Sequence, residues 1–197
     1  MRDVIVSEFM TLDGVVQAPA YPDEDTSGGF AHGGWHTGYL DDAAMRWVVE
    51  GVSSAGGFLL GRRTYESFAE HWPKAGDEEQ ALAQPLNTRP KYVASRKLTE
   101  PLEWQNSSLL SGDAADAVRG LKGEDGGDLL VLGSTQLVRS LVQAGLVDQF
   151  RLMIDPVLVG GGKRLFGDDG ALRPLRLVDS QVTSTGAVLA TYAPATA

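Results

Sequence analysis

Three times along this chain an apolar run stops at a small residue, and a turn rich in hydroxyls or arginine follows. The turns are Gly61-Arg62-Arg63-Thr64, Ser95-Arg96-Lys97 and Gly133-Ser134-Thr135-Gln136. The runs leading into them, at 58–60, 91–95 and 129–132, have the length of buried strands. After the first turn Tyr65 and Phe68 lie three apart, and after the third Leu137, Val138, Leu141 and Val142 trace one helical face. Strands that alternate with helices predict a mostly parallel α/β sheet. Such a sheet brings the C-terminal ends of its strands to one edge, where ligands bind. Backbone N–H groups at helix starts, hydroxyls and arginines gathered there suit a polyphosphate. A single turn of this kind is better explained as strand punctuation and helix capping. Three together, with arginine in two, point to function.

The remainder fits one α/β domain over residues 1–197. Residues 4–9 read as the first strand, and Leu12-Asp13-Gly14 as its turn. Residues 17–38 are rich in Gly, Pro and Asp but contain Phe30 and Trp35, which favours a folded flap over a linker. Asp41 or Asp42 caps a helix bearing Met45, Val48, Val49 and Val52 on one face. Residues 73–88 read as a further helix with Pro85 near its end, and 106–110 as a short strand. Asp113 caps a helix carrying Ala114, Ala117, Val118 and Leu121. Residues 150–158 read as a strand broken by Gly160-Gly161-Gly162. Residues 175–183 and 187–192 form a closing antiparallel hairpin.

Composition narrows the function. Seventeen Lys and Arg against 26 Asp and Glu give a net charge of −9, which opposes binding to nucleic acid or an anionic membrane. No apolar run approaches the ~20 residues of a membrane span. The absence of cysteine excludes disulfides and thiolate metal sites. The expectation is a cytoplasmic protein. His32 and His36 have helical ligand spacing, but Gly33-Gly34 between them argues against a helix, so no metal site is expected.

The Gly61-Arg62-Arg63-Thr64-Tyr65-Glu66-Ser67 segment is similar to the Gly-Arg-x-Thr-x-Glu-Ser signature of the dihydrofolate reductase superfamily. Thr11-Leu12-Asp13-Gly14 resembles the Ser-Leu-Asp-Gly segment of the riboflavin-biosynthesis reductases, the RibD C-terminal domain type. Asp155-Pro156-Val157-Leu158 and the glycines after it resemble their later Pro-x-x-x-Gly region. The resemblance covers about residues 3 to 192. It implies a three-layer αβα dihydrofolate-reductase-like fold, a small heterocyclic substrate, NADPH as cofactor and a homodimer. Carried over, Gly61, Arg62, Arg63 and Thr64 contact cofactor phosphates, and Ser95 and Arg96 lie at the adenosine 2′-phosphate. Gly133, Ser134, Thr135, Gln136 and Leu137 cradle the pyrophosphate, with Ser134 in place of the second glycine of the pattern. No G-x-G-x-x-G follows the first strand, so a Rossmann-type grip is not expected.

Asp13 is the residue expected to contact substrate or relay a proton; as a turn aspartate it could equally satisfy its own backbone. The first long helix offers Asp41 and Asp42 at its start and Glu50 near its end, none a clear match for a pterin-binding acid. The resemblance therefore implies reduction of a phosphoribosylamino-pyrimidine, with a pterin or another carbonyl or imine compound as the alternative. A non-catalytic dinucleotide-binding module would need the same turns. A partner-binding protein would use them only as punctuation.

Overall fold

The computed structural model describes residues 1–195. Its strands are β1 (Val4–Thr11), β2 (Gly57–Gly61), β3 (Lys91–Ala94), β4 (Ser107–Leu109), β5 (Leu129–Leu132), β6 (Gln149–Asp155), β7 (Leu175–Val182) and β8 (Val188–Pro194). They form one sheet in the order β4-β3-β2-β5-β1-β6-β8-β7. The helices are α1 (Asp42–Ser54), α2 (Arg62–His71), α3 (Gln80–Thr88), α4 (Ala114–Lys122) and α5 (Thr135–Gln143). No helix among the described residues is long and apolar enough to cross a membrane. Two compact units divide the chain. The first holds Met1–Ser7 and Val48–Asp148, and the second Glu8–Trp47 and the residues from Gln149 onward.

In the first unit all neighbouring strands are parallel. Every residue of β2 is buried, so Gly-Phe-Leu-Leu-Gly carries no polar alternation, as a strand covered on both faces requires. Phe58, Leu60, Val93 and Leu130 from the strands meet Val52, Tyr65, Leu86 and Trp104 in one apolar cluster. Tyr65 is fixed further, because its hydroxyl accepts from the Trp104 backbone N–H at 3.1 Å. That bond anchors the first turns of α2. Lys91 is buried at the start of β3, where its Nζ donates to the Leu86 and Arg89 carbonyls and lies over the Trp104 ring. Burial pushes its ammonium down to about 8. Asp113 caps α4 by accepting from the N–H groups of Ala115 and Asp116.

In the second unit β8 lies antiparallel between β6 and β7. Asp41, rather than Asp42, caps α1, accepting from the N–H groups of Ala43 and Ala44. The same carboxylate accepts from Ser184 N and Oγ in the hairpin turn, chiefly the hydroxyl holding its pKa at about 2. Residues 17–38 are folded. Phe30 packs with Val15 and Ala18, Trp35 Nε1 donates to the Gln17 carbonyl at 2.7 Å, and Gln17 Nε2 donates to the carbonyls of Asp25 and Ser27.

Two expected elements are corrected. Residues 150–158 do not form one strand: β6 ends at Asp155, because Pro156 has no N–H for a ladder and Val157 N turns back to the Asp155 carbonyl. Residues 73–88 are not one helix. Single 3₁₀ turns at Trp72–Lys74 and Asp77–Glu79 precede α3, interrupted at Gly76, whose extended backbone cannot continue a helix.

Candidate functional site

Parallel register places the three turns side by side in the first unit. Gly61, the last residue of β2, stands opposite Ala94, so Ser95 follows one step beyond it on the neighbouring strand. On the other side Leu59 stands opposite Val131, and Gly133 follows two residues later. Turns one and three interlock. A Cβ on Gly61 would overlap Ser134 Cβ and Oγ, and a Cβ on Gly133 would lie 2.7 Å from Thr64 Oγ1. Gly133 also has φ +56°, a left-handed conformation that side chains disfavour. Glycine is required at both positions because the two turns touch there.

The contact brings the N-termini of α2 and α5 together. Neither Gly61 nor Ser134, the residues at the two N-caps, gives its helix a side-chain cap. The first-turn N–H groups at 62–64 and 135–137 therefore have neither an intrahelical acceptor nor a side-chain cap from Gly61 or Ser134. Both helices add the positive end of their dipoles to the same spot. The Thr64, Ser134 and Thr135 hydroxyls lie on these turns. The arrangement offers a dense set of donors to an anion.

Arg62 donates to both oxygens of Glu66, at 2.9 and 2.7 Å, one helical turn along. Arg63 and Arg96 are exposed. Ser95 Oγ accepts from the N–H groups of Lys97 and Leu98, both at 3.0 Å, which shapes the second turn and leaves its O–H to donate. Gln136 is exposed, whereas the Leu137 side chain is buried with Val138 and Leu141. Of the residues expected at the third turn, Leu137 can thus offer only its backbone N–H.

Asp13 belongs to the second unit, and both of its carboxylate oxygens are engaged. Oδ1 accepts from Thr11 Oγ1 at 2.6 Å and Val159 N at 3.3 Å, and Oδ2 from Gly160 N at 3.0 Å. Arg164 approaches Oδ2 at 3.6 Å. The Thr11 hydroxyl is the main cause holding this carboxyl below its ordinary range. Val159 lines a cavity of about 410 Å³ with Gln17, Phe30, His32 and Gly162, so the Asp13 clamp shapes one of its walls.

Sequence reasoning did not find the His36–Asp155 pair. His36 Nδ1 lies 2.8 Å from Asp155 Oδ2, and both side chains are almost fully buried. The His36 ring stacks on Phe9 with centroids 3.8 Å apart. His36 Nε2 and Asp155 Oδ1 have no hydrogen-bond partner. Burial raises the Asp155 carboxyl pKa, and the bond to His36 pulls the other way. The two residues are 119 positions apart, and no local spacing signals the pair. His32, by contrast, is exposed beside the Phe30 ring. Among the described residues no three His, Asp or Glu side chains group as metal ligands.

Comparison with known proteins agrees with this architecture. The family model described as RibD C-terminal domain matches residues 2–189. An uncharacterized protein of Bacillus subtilis (strain 168), YyaP, is 33% identical over 137 residues, spanning 68% of this chain and 71% of its own. A putative riboflavin biosynthesis protein from Shewanella superposes with a TM-score of 0.68 at 20% identity, covering 98% of this chain and 99% of that one. Dihydrofolate reductase from Enterococcus faecalis, solved with NADP(H) and RAB-propyl, gives 0.60 at 12% identity over 98% and 96%. At these identities the two solved structures establish the fold: an eight-stranded, mostly parallel sheet with a C-terminal antiparallel hairpin.

Proposed function

Because this chain belongs to the RibD C-terminal domain family, we propose that it is an NADPH-dependent reductase of a small heterocycle. The family and the shared fold support a reductase of the riboflavin-pathway type. The reading rests on one observation above all, the meeting of two uncapped helix N-termini at Gly61, Thr64, Gly133 and Ser134.

The donor set fits a dinucleotide. First-turn N–H groups of α2 and α5, with the Thr64, Ser134 and Thr135 hydroxyls, would hold the pyrophosphate oxygens. Ser95 and Arg96 on the adjacent turn would take the adenosine 2′-phosphate, the group that separates NADPH from NADH. Arg62 would reach a phosphate by releasing Glu66, and Arg63 stands beside it on the same turn. When bound, the nicotinamide supplies the hydride, so the protein needs few titrating groups and mainly orients and shields. Asp13 remains ionised at neutral pH and acts as an acceptor that positions the Val159–Gly160 segment. The substrate class we propose is a phosphoribosylamino-pyrimidine or a related heterocycle.

Titration of the purified chain with NADPH and NADH, followed by nicotinamide fluorescence, tests the cofactor. Single-turnover oxidation of bound NADPH by phosphoribosylamino-pyrimidine and pterin substrates tests the chemistry. Absence of dinucleotide binding would overturn the whole reading. Tight binding without oxidation by any of these substrates would instead identify a non-catalytic dinucleotide-binding module.

A further inference from the structure

The cavity of about 410 Å³ lies wholly in the second unit, between segments 27–32 and 159–163, with Gln17 joining the two. Hydrogen bonds hold its walls in place. Gln17 is buried, and both ends of its amide are engaged: Oε1 accepts from Lys163 N at 3.0 Å, and Nε2 donates to the Asp25 and Ser27 carbonyls. Val16 N donates to the Lys163 carbonyl, and the Asp13 carboxylate holds the N–H groups of Val159 and Gly160. A pre-formed cavity of this volume is the size that takes a small molecule.

Glycine keeps the space open. A Cβ at position 28, 29 or 161 would meet nothing within 4 Å, so free volume lies beside each. At Gly162 a Cβ would lie 2.8 Å from Phe30 Cε2, so glycine there lets the aromatic ring seat against the wall. Phe30 and Val159 pack in one cluster and give the cavity an apolar side. The His32 ring stands at 83° to the Phe30 ring, with centroids 5.8 Å apart. A flat ring laid on Phe30 would therefore meet His32 edge to face, so both contacts would be of the kinds that aromatic rings prefer. The described lining residues include no carboxylate, and the two that can carry charge, His32 and Lys163, carry it positive. Lys163 Nζ is paired with Asp25, but an ammonium has three donors, and the side chain remains 38% exposed.

We propose that this cavity binds a small aromatic carboxylate, its ring on Phe30 and Val159 and its acid group at Lys163 and His32. The two ends of the cavity call for the two halves of one such molecule. A neutral ring would leave the Lys163 donors unused, and an inorganic anion would gain nothing from the apolar side. The site stands apart from the cofactor reading, because every lining residue belongs to the second unit and the three turns belong to the first.

Heteronuclear NMR of the full chain, titrated with benzoate, tests it. The amides of Gly28, Gly29, Gly161 and Gly162 are expected to shift and to saturate with a Kd on the order of 1 mM, a modest affinity for so few atoms. Cyclohexanecarboxylate has the charge without the aromatic face, and benzyl alcohol the ring without the charge. Each should bind about threefold or more weakly. Lys163→Met keeps most of the stem, removes the ammonium and should weaken benzoate about tenfold while leaving benzyl alcohol unchanged. Gly161→Leu fills the open space and should abolish binding, with thermal melting unchanged because nothing lies within 4 Å of the added Cβ. The absence of a saturable benzoate shift would overturn the proposal. So would shifts confined to glycines outside the cavity, such as Gly61 and Gly133, or binding indifferent to both Lys163→Met and Gly161→Leu. Equal affinity for cyclohexanecarboxylate would overturn the aromatic class.

Discussion

Replacing His36 with phenylalanine isolates the energetics of the buried His36–Asp155 pair. His36→Phe keeps an aromatic ring against Phe9 but removes the partner of Asp155 Oδ2, while Oδ1 already has none. Removing one partner of a buried hydrogen bond leaves the other polar group unsatisfied, at a cost of about 1–3 kcal/mol. For a chain of this size each kcal/mol lowers Tm by about 2–4 °C, so the expected fall is roughly 2–12 °C. The loss should depend on pH. Burial already raises the Asp155 carboxyl and His36 opposes that rise, so without His36 the raising cause stands alone. A carboxyl with a raised folded-state pKa favours the folded state below its unfolded value, and that contribution is lost as pH rises through the folded value. His36→Phe should therefore become less stable, relative to the double variant His36→Phe/Asp155→Asn, as pH rises from about 4 to about 8. Urea unfolding at several pH values, monitored by tryptophan fluorescence, measures both quantities. A loss below about 1 kcal/mol at neutral pH, the scale of an exposed pair, would refute the reasoning. A stability gap between the two variants that stays flat with pH would refute it equally.

Three further outcomes are expected. Arg96→Ala should weaken NADPH by about ten- to hundred-fold, the worth of a hydrogen bond to a charged group, and leave NADH almost unchanged in fluorescence titrations at fixed ionic strength. Gly61→Ala should cost about 1–3 kcal/mol by overpacking against Ser134, with Ser134→Gly in the same chain recovering most of it in thermal melts. Asp13→Asn should leave NADPH affinity intact and speed hydrogen exchange at the Val159 and Gly160 amides roughly fivefold, about 1 kcal/mol. Since the Thr11 hydroxyl lowers the Asp13 carboxyl, its stabilising contribution in the unmodified chain is present above the ordinary carboxylate range and lost as pH falls.

The sequence by itself determined the strand–turn–helix units and the closing hairpin, because apolar periodicity and turn chemistry act over neighbouring residues. Gly61 and Gly133 were legible as strand ends, and Asp113 as a helix cap, for the same local reason. The three turns could be proposed as one site because parallel strands must end on one edge. Register, however, depends on pairing between distant segments. Only the tertiary structure decided that Gly61 packs on Ser134 and Thr64 on Gly133, which leaves no room for a side chain at either glycine. It also decided that both Asp13 oxygens are taken up by the Thr11 hydroxyl and the backbone at 159–160, and that Leu137 turns inward to the core. His36 and Asp155 were unreadable as a pair, since each looks like an ordinary loop or strand-end residue. Their coupling comes from shared burial and a bond across 119 positions, which is decided when the chain packs.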